Sequence, residues 1–252
     1  MDYRAGDYRV VAQRLRPAAE RLVERCAPGA GDVVVDIGAG SGNVALLCAQ
    51  RGASVVAVDR VPEQLLLGRE DAAGGVHWVA GDAAALPLAD ESATAALSTF
   101  ALIYVSDPDA AVRELARVTR PGATLGLTAW SQGAYQAESV QVFLASGALD
   151  LDGHDALEVW GSADRIAARL EPVADDVEVT EHALVGRFAS LDAWWEQRLR
   201  TPPVMTARQR LDDAAFDELA RRLREVAAAH ATVDDDGFAL HDPYLLAHAR
   251  RR

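Results

Sequence analysis

Two kinds of apolar spacing alternate along the first half of the chain. Short unbroken runs of β-branched and small apolar residues occur at 33–37, 54–58, 76–80, 93–98 and 123–130. Between them lie longer stretches in which apolar residues recur every three or four positions. The runs predict strands covered on both faces, and the spaced stretches predict helices that return the chain to the same edge of a parallel sheet. Helices are expected over 43–51 and 62–71, the latter with Leu65, Leu66 and Leu67 inward, and from Pro108 through Val112, Leu115, Ala116 and Val118. Asp107 is placed to cap the last of these, with proline at its first position. Ahead of the first strand, Val11, Leu15, Ala18, Leu22 and Cys26 have helical spacing interrupted by Pro17, so two helices or one kinked helix are expected.

Beyond Trp130 the pattern predicts helices over 136–149 and 162–170, a strand over 177–188 and a short helix bearing Trp194 and Trp195. Thr206 and Gln209 have the spacing of a capping box, ahead of a long amphipathic helix through Leu211, Phe216, Leu219, Leu223, Val226 and His230. A last strand over 237–249 would pair with 177–188 as an antiparallel hairpin, with 190–236 inserted between them.

The first strand ends in the most informative stretch of the chain. Asp36 is followed by Gly38, Gly40 and Gly42, and the next helix begins at Asn43. Alternate glycines accept dihedrals closed to other residues, and the helix start offers free amides, so a ligand is expected at this turn. A dinucleotide loop of the Gly-x-Gly-x-x-Gly type would need glycine at position 43, which weakens a hydride-transfer reading. The second strand ends at Asp59, 17 residues past Gly42, where a βαβ unit sets an acid beside a ribose. A carboxylate can accept from both hydroxyls of a diol. The alternative role for Asp59 is to cap the helix that starts at Pro62.

Composition narrows the chemistry. The net charge of −13 disfavours nucleic acid as a partner, and all 25 basic residues are arginine, which removes lysine Schiff-base chemistry and the phosphate-loop lysine. Cys26 and Cys48 are too few for a zinc site and are expected as small buried hydrophobes. No apolar run reaches the length of a membrane span and the first residues lack a signal core, so a cytoplasmic protein is expected, monomeric or homodimeric. No metal site is expected: Asp150, Asp152 and Asp155 lack calcium-loop spacing.

The stretch from Asp36 to Gly42 resembles the first motif of the class I S-adenosylmethionine-dependent methyltransferases. Gly81-Asp82-Ala83, at the end of the third strand, is similar to that family's adenine-gripping motif. The stretch Arg113-Glu114-Leu115-Ala116-Arg117-Val118-Thr119-Arg120-Pro121-Gly122 resembles a structural signature of its ubiquinone and menaquinone subfamily. The resemblance implies an α/β fold with a Rossmann-like seven-stranded sheet, mostly parallel with an antiparallel final strand, as a single domain over 1–252. It implies S-adenosylmethionine as cofactor and S-adenosylhomocysteine as product. Asp36, Gly38, Ala39, Gly40 and Gly42 would pass its amino-acid part, Asp59 its ribose, and Gly81, Asp82 and Ala83 its adenine. Arg60, where the family more often has a small or polar residue, and Thr99 and Phe100, at the end of the fourth strand, complete the expected cofactor contacts.

Methyl transfer from a sulfonium is an in-line displacement, which needs alignment and exclusion of water more than a covalent residue. The N-terminal helices over 1–27, with Tyr8 toward the cofactor, and the insertion 190–236 are expected to form a cap. His154 in the acidic loop is the first candidate for a base, His182 the second, and Tyr104 after the fourth strand is a candidate for orienting the acceptor. The expected substrate is a small hydrophobic metabolite methylated at O, N or C. A relative that keeps the cofactor site but runs another reaction, such as a cyclisation, is the alternative.

Overall fold

The computed structural model describes residues 8–72, 74–149, 156–234 and 237–252. Its centre is a sheet of five parallel strands, β1 (Val33–Ile37), β2 (Ser54–Asp59), β3 (Val76–Ala80), β4 (Ala93–Thr99) and β5 (Thr119–Trp130), extended by the antiparallel strands β6 (Ala174–Phe188) and β8 (Gly237–Arg251). The order is β3-β2-β1-β4-β5-β8-β6. An eighth strand not foreseen in the sequence, β7 (Ala231–Asp234), pairs with the start of β8. The expected seven strands are all present, and β7 exists by pairing antiparallel with the start of β8, from Ala231 opposite Leu240 to Asp234 opposite Gly237.

β1 and β4 are buried on both faces, which is why they read as continuous apolar runs. Val34, Val35, Ile37, Ala96 and Leu97 share one buried cluster with residues of helices α1 (Tyr8–Cys26), α2 (Asn43–Gln50) and α4 (Pro108–Val118), while α3 (Pro62–Asp71) packs on β2 and β3. The α1 segment is one continuous helix with Pro17 inside it, not two. Ala18, Ala19, Leu22 and Val23 are almost wholly buried just after the proline, so packing holds the turn that has lost a backbone bond. In α3, Leu65 is buried but Leu66 is 58% exposed, since three consecutive leucines cannot share one helical face. Cys48 is buried, while Cys26 at the end of α1 is half-buried.

β1 lies between β2 and β4, so the connections leave it in opposite directions and open a crevice at the carboxyl ends of the strands. Over that crevice sits a second hydrophobic cluster. It is built from α5 (Tyr135–Ala145), α8 (Leu191–Arg198), α9 (Pro202–Arg210) and α10 (Asp213–Ala229), together with Phe238 and Leu240 of β8. The proposed capping box of Thr206 and Gln209 does not exist: both lie inside α9, and Asp212 caps α10 by accepting from the Ala215 amide at 2.9 Å. An acid followed by another acid and alanines outcompetes the threonine as a helix start. Two short helices, α6 (Ala156–Trp160) and α7 (Ala163–Leu170), close the far side of the sheet.

Candidate active site

The three glycines of the turn all have positive φ, at 69°, 54° and 88° for Gly38, Gly40 and Gly42. At two of them the protein itself fills the space that a side chain would need. A Cβ on Gly38 would stand 2.1 Å from that of Ala101, and one on Gly42 would stand 2.4 Å from the Trp78 ring. The turn is locked from below by acids. Asp36 is 2% exposed and accepts from the Ala45 amide in the first turn of α2 at 2.9 Å. Burial pushes its carboxyl up to about 7; the Ala45 amide opposes this and Asp59 adds to it.

Asp59 accepts from the amide of Gly40 with one oxygen and from that of Val61 with the other, both at 2.8 Å. It therefore ties the end of β2 to the glycine turn rather than capping α3, whose N-cap is Val61. Each oxygen keeps a free acceptor site for a diol. Asp82 receives the Ala84 amide at 2.8 Å, which shapes the turn after β3.

A single cavity of about 880 Å³ joins these groups. Of the residues expected to touch the cofactor, Gly38, Gly40, Asp59, Arg60, Gly81, Asp82, Ala83, Thr99 and Phe100 line one end, and Tyr104 lines it further along. Asp36, Ala39 and Gly42 are not on its wall: Asp36 is buried behind the turn, Ala39 packs on the core of the sheet, and Gly42 faces the Trp78 ring. Tyr8 opens α1, but its side chain, like the whole of His154 and the acidic loop 150–155, lies outside the described residues. His182 is not on the wall either; it lies on β6 against Tyr244, with Thr180 Oγ1 at 2.9 Å from its Nε2.

Phe100 is the strained residue of the site. Its φ of 52° is left-handed for a bulky residue. Its amide is held by Thr128 Oγ1 at 3.1 Å, and its ring stacks on Trp130 at 3.9 Å and meets Tyr244 edge-on. The neighbouring Thr99 hydroxyl is buried with no hydrogen-bond partner. An orphaned hydroxyl beside a strained strand end, next to two acids with spare acceptor sites, fits a polar nucleoside-like cofactor.

The wall also includes residues the sequence did not single out, among them Arg14, Gln136, Ser139, Phe143, Arg198 and Asp242, along with Trp130 and Trp194. Asp242 is 2% exposed, accepts from the Gln136 amide at 3.1 Å and has Arg14 3.6 Å away. Its one advance signal was an acid inside an otherwise apolar strand, before Pro243. Trp195 and Met205 do not reach the cavity. Among the described residues no group of histidines, cysteines and acids could hold a metal, and no helix is long and apolar enough to cross a membrane.

Residues 35–127 match a family model described as a methyltransferase domain. An uncharacterised protein of Mycobacterium tuberculosis is 30% identical over 98% of this chain and 92% of its own length. A ubiquinone/menaquinone biosynthesis C-methyltransferase of Rubrivivax gelatinosus is 37% identical over 40% of this chain and 41% of its own. The crystal structure of a candidate methyltransferase of Bacillus halodurans shares the fold, with a TM-score of 0.64 at 21% identity over 93% of this chain and 98% of its own. A glycine turn tied down by two acids, matched by that family model, places the chain among the class I S-adenosylmethionine-dependent methyltransferases, with S-adenosylmethionine as its cofactor.

Proposed function

We propose that the protein methylates an O, N or C nucleophile of a small, largely hydrophobic metabolite inside the cavity between the sheet and a cap formed by α1 and the insertion 190–236. The observation that carries this reading is the continuity of the cavity, which runs from the glycine turn and Asp59 to Phe143 and Trp194 of the second cluster. Its volume of about 880 Å³ is near the top of the usual range for ligand pockets, with room for two molecules end to end.

When bound, S-adenosylmethionine supplies a methyl group on a sulfonium, ready for displacement. The chain's own residues do the rest. The bare backbone at Gly38 and Gly40, whose amides are spent on the Val58 carbonyl and on Asp59, would let the amino-acid part pass close by, Asp59 would accept from the ribose, and Asp82 with Ala83 would grip adenine. Thr99 and Phe100 form the floor at the strand end. Tyr104, from the short 3₁₀ turn Leu102–Tyr104, orients the acceptor, and the apolar wall excludes water. Among the described residues no histidine lines the cavity, so Tyr104 is the group we assign to steering a proton or lone pair at the nucleophile.

The test is a metabolite screen read by mass spectrometry together with calorimetry of the cofactor. S-adenosylmethionine should bind with a micromolar dissociation constant, about −8 kcal/mol, and S-adenosylhomocysteine should appear in step with a methylated product. No binding at millimolar cofactor would overturn the reading. Substrate conversion without S-adenosylhomocysteine would instead favour a reaction such as cyclisation on the same scaffold.

A further inference from the structure

The end of the cavity under the cap carries more positive than negative charge. Arg14 enters it from α1 and Arg198 from the last residue of α8, while Asp242 of β8 is the facing acid. Asp242 spends one oxygen on the Gln136 amide, and its other oxygen, 3.6 Å from Arg14, has no hydrogen-bond partner. Arg198 is only 9% exposed. Its guanidinium reaches Gln136 Oε1 at a marginal 3.5 Å, stands 5.8 Å over the Tyr135 ring, and leaves its Nε buried and unpartnered. The Ser139 hydroxyl, 1% exposed, lies on the same wall and has no partner either.

Nearby charges do not cancel the excess. His230 pairs with Glu138 at 3.1 Å, and Arg187 at the rim pairs with Asp234 at 3.7 Å. Two guanidiniums thus face one carboxylate in a protein whose overall charge is −13. Burying an uncompensated charge costs several kcal/mol unless something answers it. Burial pulls the Arg14 guanidinium below its ordinary value, Asp242 opposes that, and Arg198 adds to it, so the two arginines sense each other across the cavity.

We infer that the acceptor is a small amphipathic organic acid, its carboxylate held by Arg14, Arg198 and Ser139 and its apolar body laid against Phe143, Val140 and Trp194. This rests on the reading of this end of the cavity as the acceptor site. A single excess charge suits a monoanion, and the planar fork of a guanidinium matches a carboxylate in two-point geometry. Arg14 also stands 5.8 Å over Trp130, whose ring stacks on Phe100 at the cofactor end, so the anchoring charge sits one aromatic ring beyond the strand end. The two arginines come from the two segments of the proposed cap, so an anion between them would also draw the cap together.

The experiment uses the full chain and compares phenylacetate, phenylacetamide, phenethylamine and octanoate by ligand-observed NMR and calorimetry, with and without S-adenosylhomocysteine. The acids should bind about tenfold or more tighter than the amide, with the amine weakest. Arg198→Gln and Arg14→Gln should each bring acid and amide to within about twofold, while S-adenosylhomocysteine affinity stays within about twofold of the parent. Should Arg198→Gln fail to fold, Arg14→Gln decides, because its side chain is 29% exposed and tolerates replacement better. Equal binding of acid and amide, preference for the amine, an acid preference that survives in Arg14→Gln, or no acid bound at about 10 mM would each overturn the inference. Failure of S-adenosylhomocysteine to bind would instead strike the methyltransferase reading, since the acid preference is measured without it as well.

Discussion

Asp59 holds the glycine turn to the end of β2 with one carboxylate oxygen on the Gly40 amide, fixes the chain after β2 with the other on the Val61 amide, and lines the cavity. Its replacement by alanine should therefore act twice. Cofactor affinity should fall by about 1.5–3 kcal/mol in a calorimetric titration, and the melting transition should also drop, by about 1–3 kcal/mol, because the amides of Gly40 and Val61 lose their acceptor. Unchanged affinity with a lowered melting point would leave Asp59 a purely structural tie. Asp36 behaves differently, since nothing but protein surrounds it. Its carboxyl rises from an ordinary 3.8 to about 7 in the folded state, chiefly through burial, so the fold binds a proton that the unfolded chain releases. Stability from this proton is complete below pH 4 and is lost as pH climbs through 7. Asp36→Asn, which keeps an acceptor for the Ala45 amide, should flatten that loss, melting higher than the parent at pH 8 by up to about 4 kcal/mol and no higher at pH 4. Parallel pH profiles for the two proteins would sink the assignment. Both acids were legible in the sequence because each interrupts or ends a buried apolar run. Arg14 and Arg198 were not: Arg14 is one of five arginines in α1, and Arg198 ends α8 where a basic residue reads as an ordinary helix end, so only the tertiary fold decides that each turns inward.

At the scale of elements, the stretch from Arg113 to Gly122 shows why a sequence signature can be purely structural. Arg117 donates to both oxygens of Glu114 at 2.6 and 2.7 Å, to the Leu88 and Leu86 carbonyls and to Asp90. Glu114 in turn accepts from the Leu86 amide at 2.6 Å. The pair straps the loop before β4 onto α4, and the Arg117 guanidinium holds the Glu114 carboxyl below its usual value. That loop packs against the end of the cavity lined by Gly81 and Asp82, where the Pro87 ring would stand 2.7 Å from a Cβ on Gly81. Arg117→Ala should cost about 2–4 kcal/mol in chemical denaturation, and Arg117→Lys, which cannot fork, should recover less than half of it. A loss under about 0.5 kcal/mol would make the strap ornamental. The parallel strands were readable because burial on both faces leaves an unbroken apolar signature, and α4 because Asp107 and Pro108 mark its start, the Asp107 side chain accepting from Ala110 at 2.8 Å. The helices of the insertion were harder. Their boundary between α9 and α10 hangs on one cap, Asp212, and the Thr206 pattern mimicked another. β7 has no signature of its own: three of its four residues are exposed, and only pairing with β8 makes it a strand.

Over the whole molecule, two hydrophobic clusters meet at the cavity, one built around the sheet and one within α5, α8, α9 and α10. Displacement at a sulfonium needs water kept out, yet both ligands must enter, so one side of the cavity has to open. The second cluster is the smaller body and is joined to the sheet through β8 and α5, which makes it the side we expect to move. Backbone hydrogen exchange in α8 and in α1 should slow when S-adenosylhomocysteine and an accepted metabolite are bound together, by more than either ligand achieves alone. Trp194 is the residue that reads the closed state, being 3% exposed, edge-on to Tyr135 at 6.0 Å and on the cavity wall, whereas its neighbour Trp195 stays off it. Trp194→Phe keeps an apolar ring but withdraws part of the wall. It should lower kcat/KM for the accepted metabolite by about tenfold while cofactor affinity stays within about twofold, and Trp195→Phe should change neither. Exchange in α8 that ignores ligand, combined with full turnover in Trp194→Phe, would make the second cluster a fixed wall, and ligand entry would then have to pass along α1.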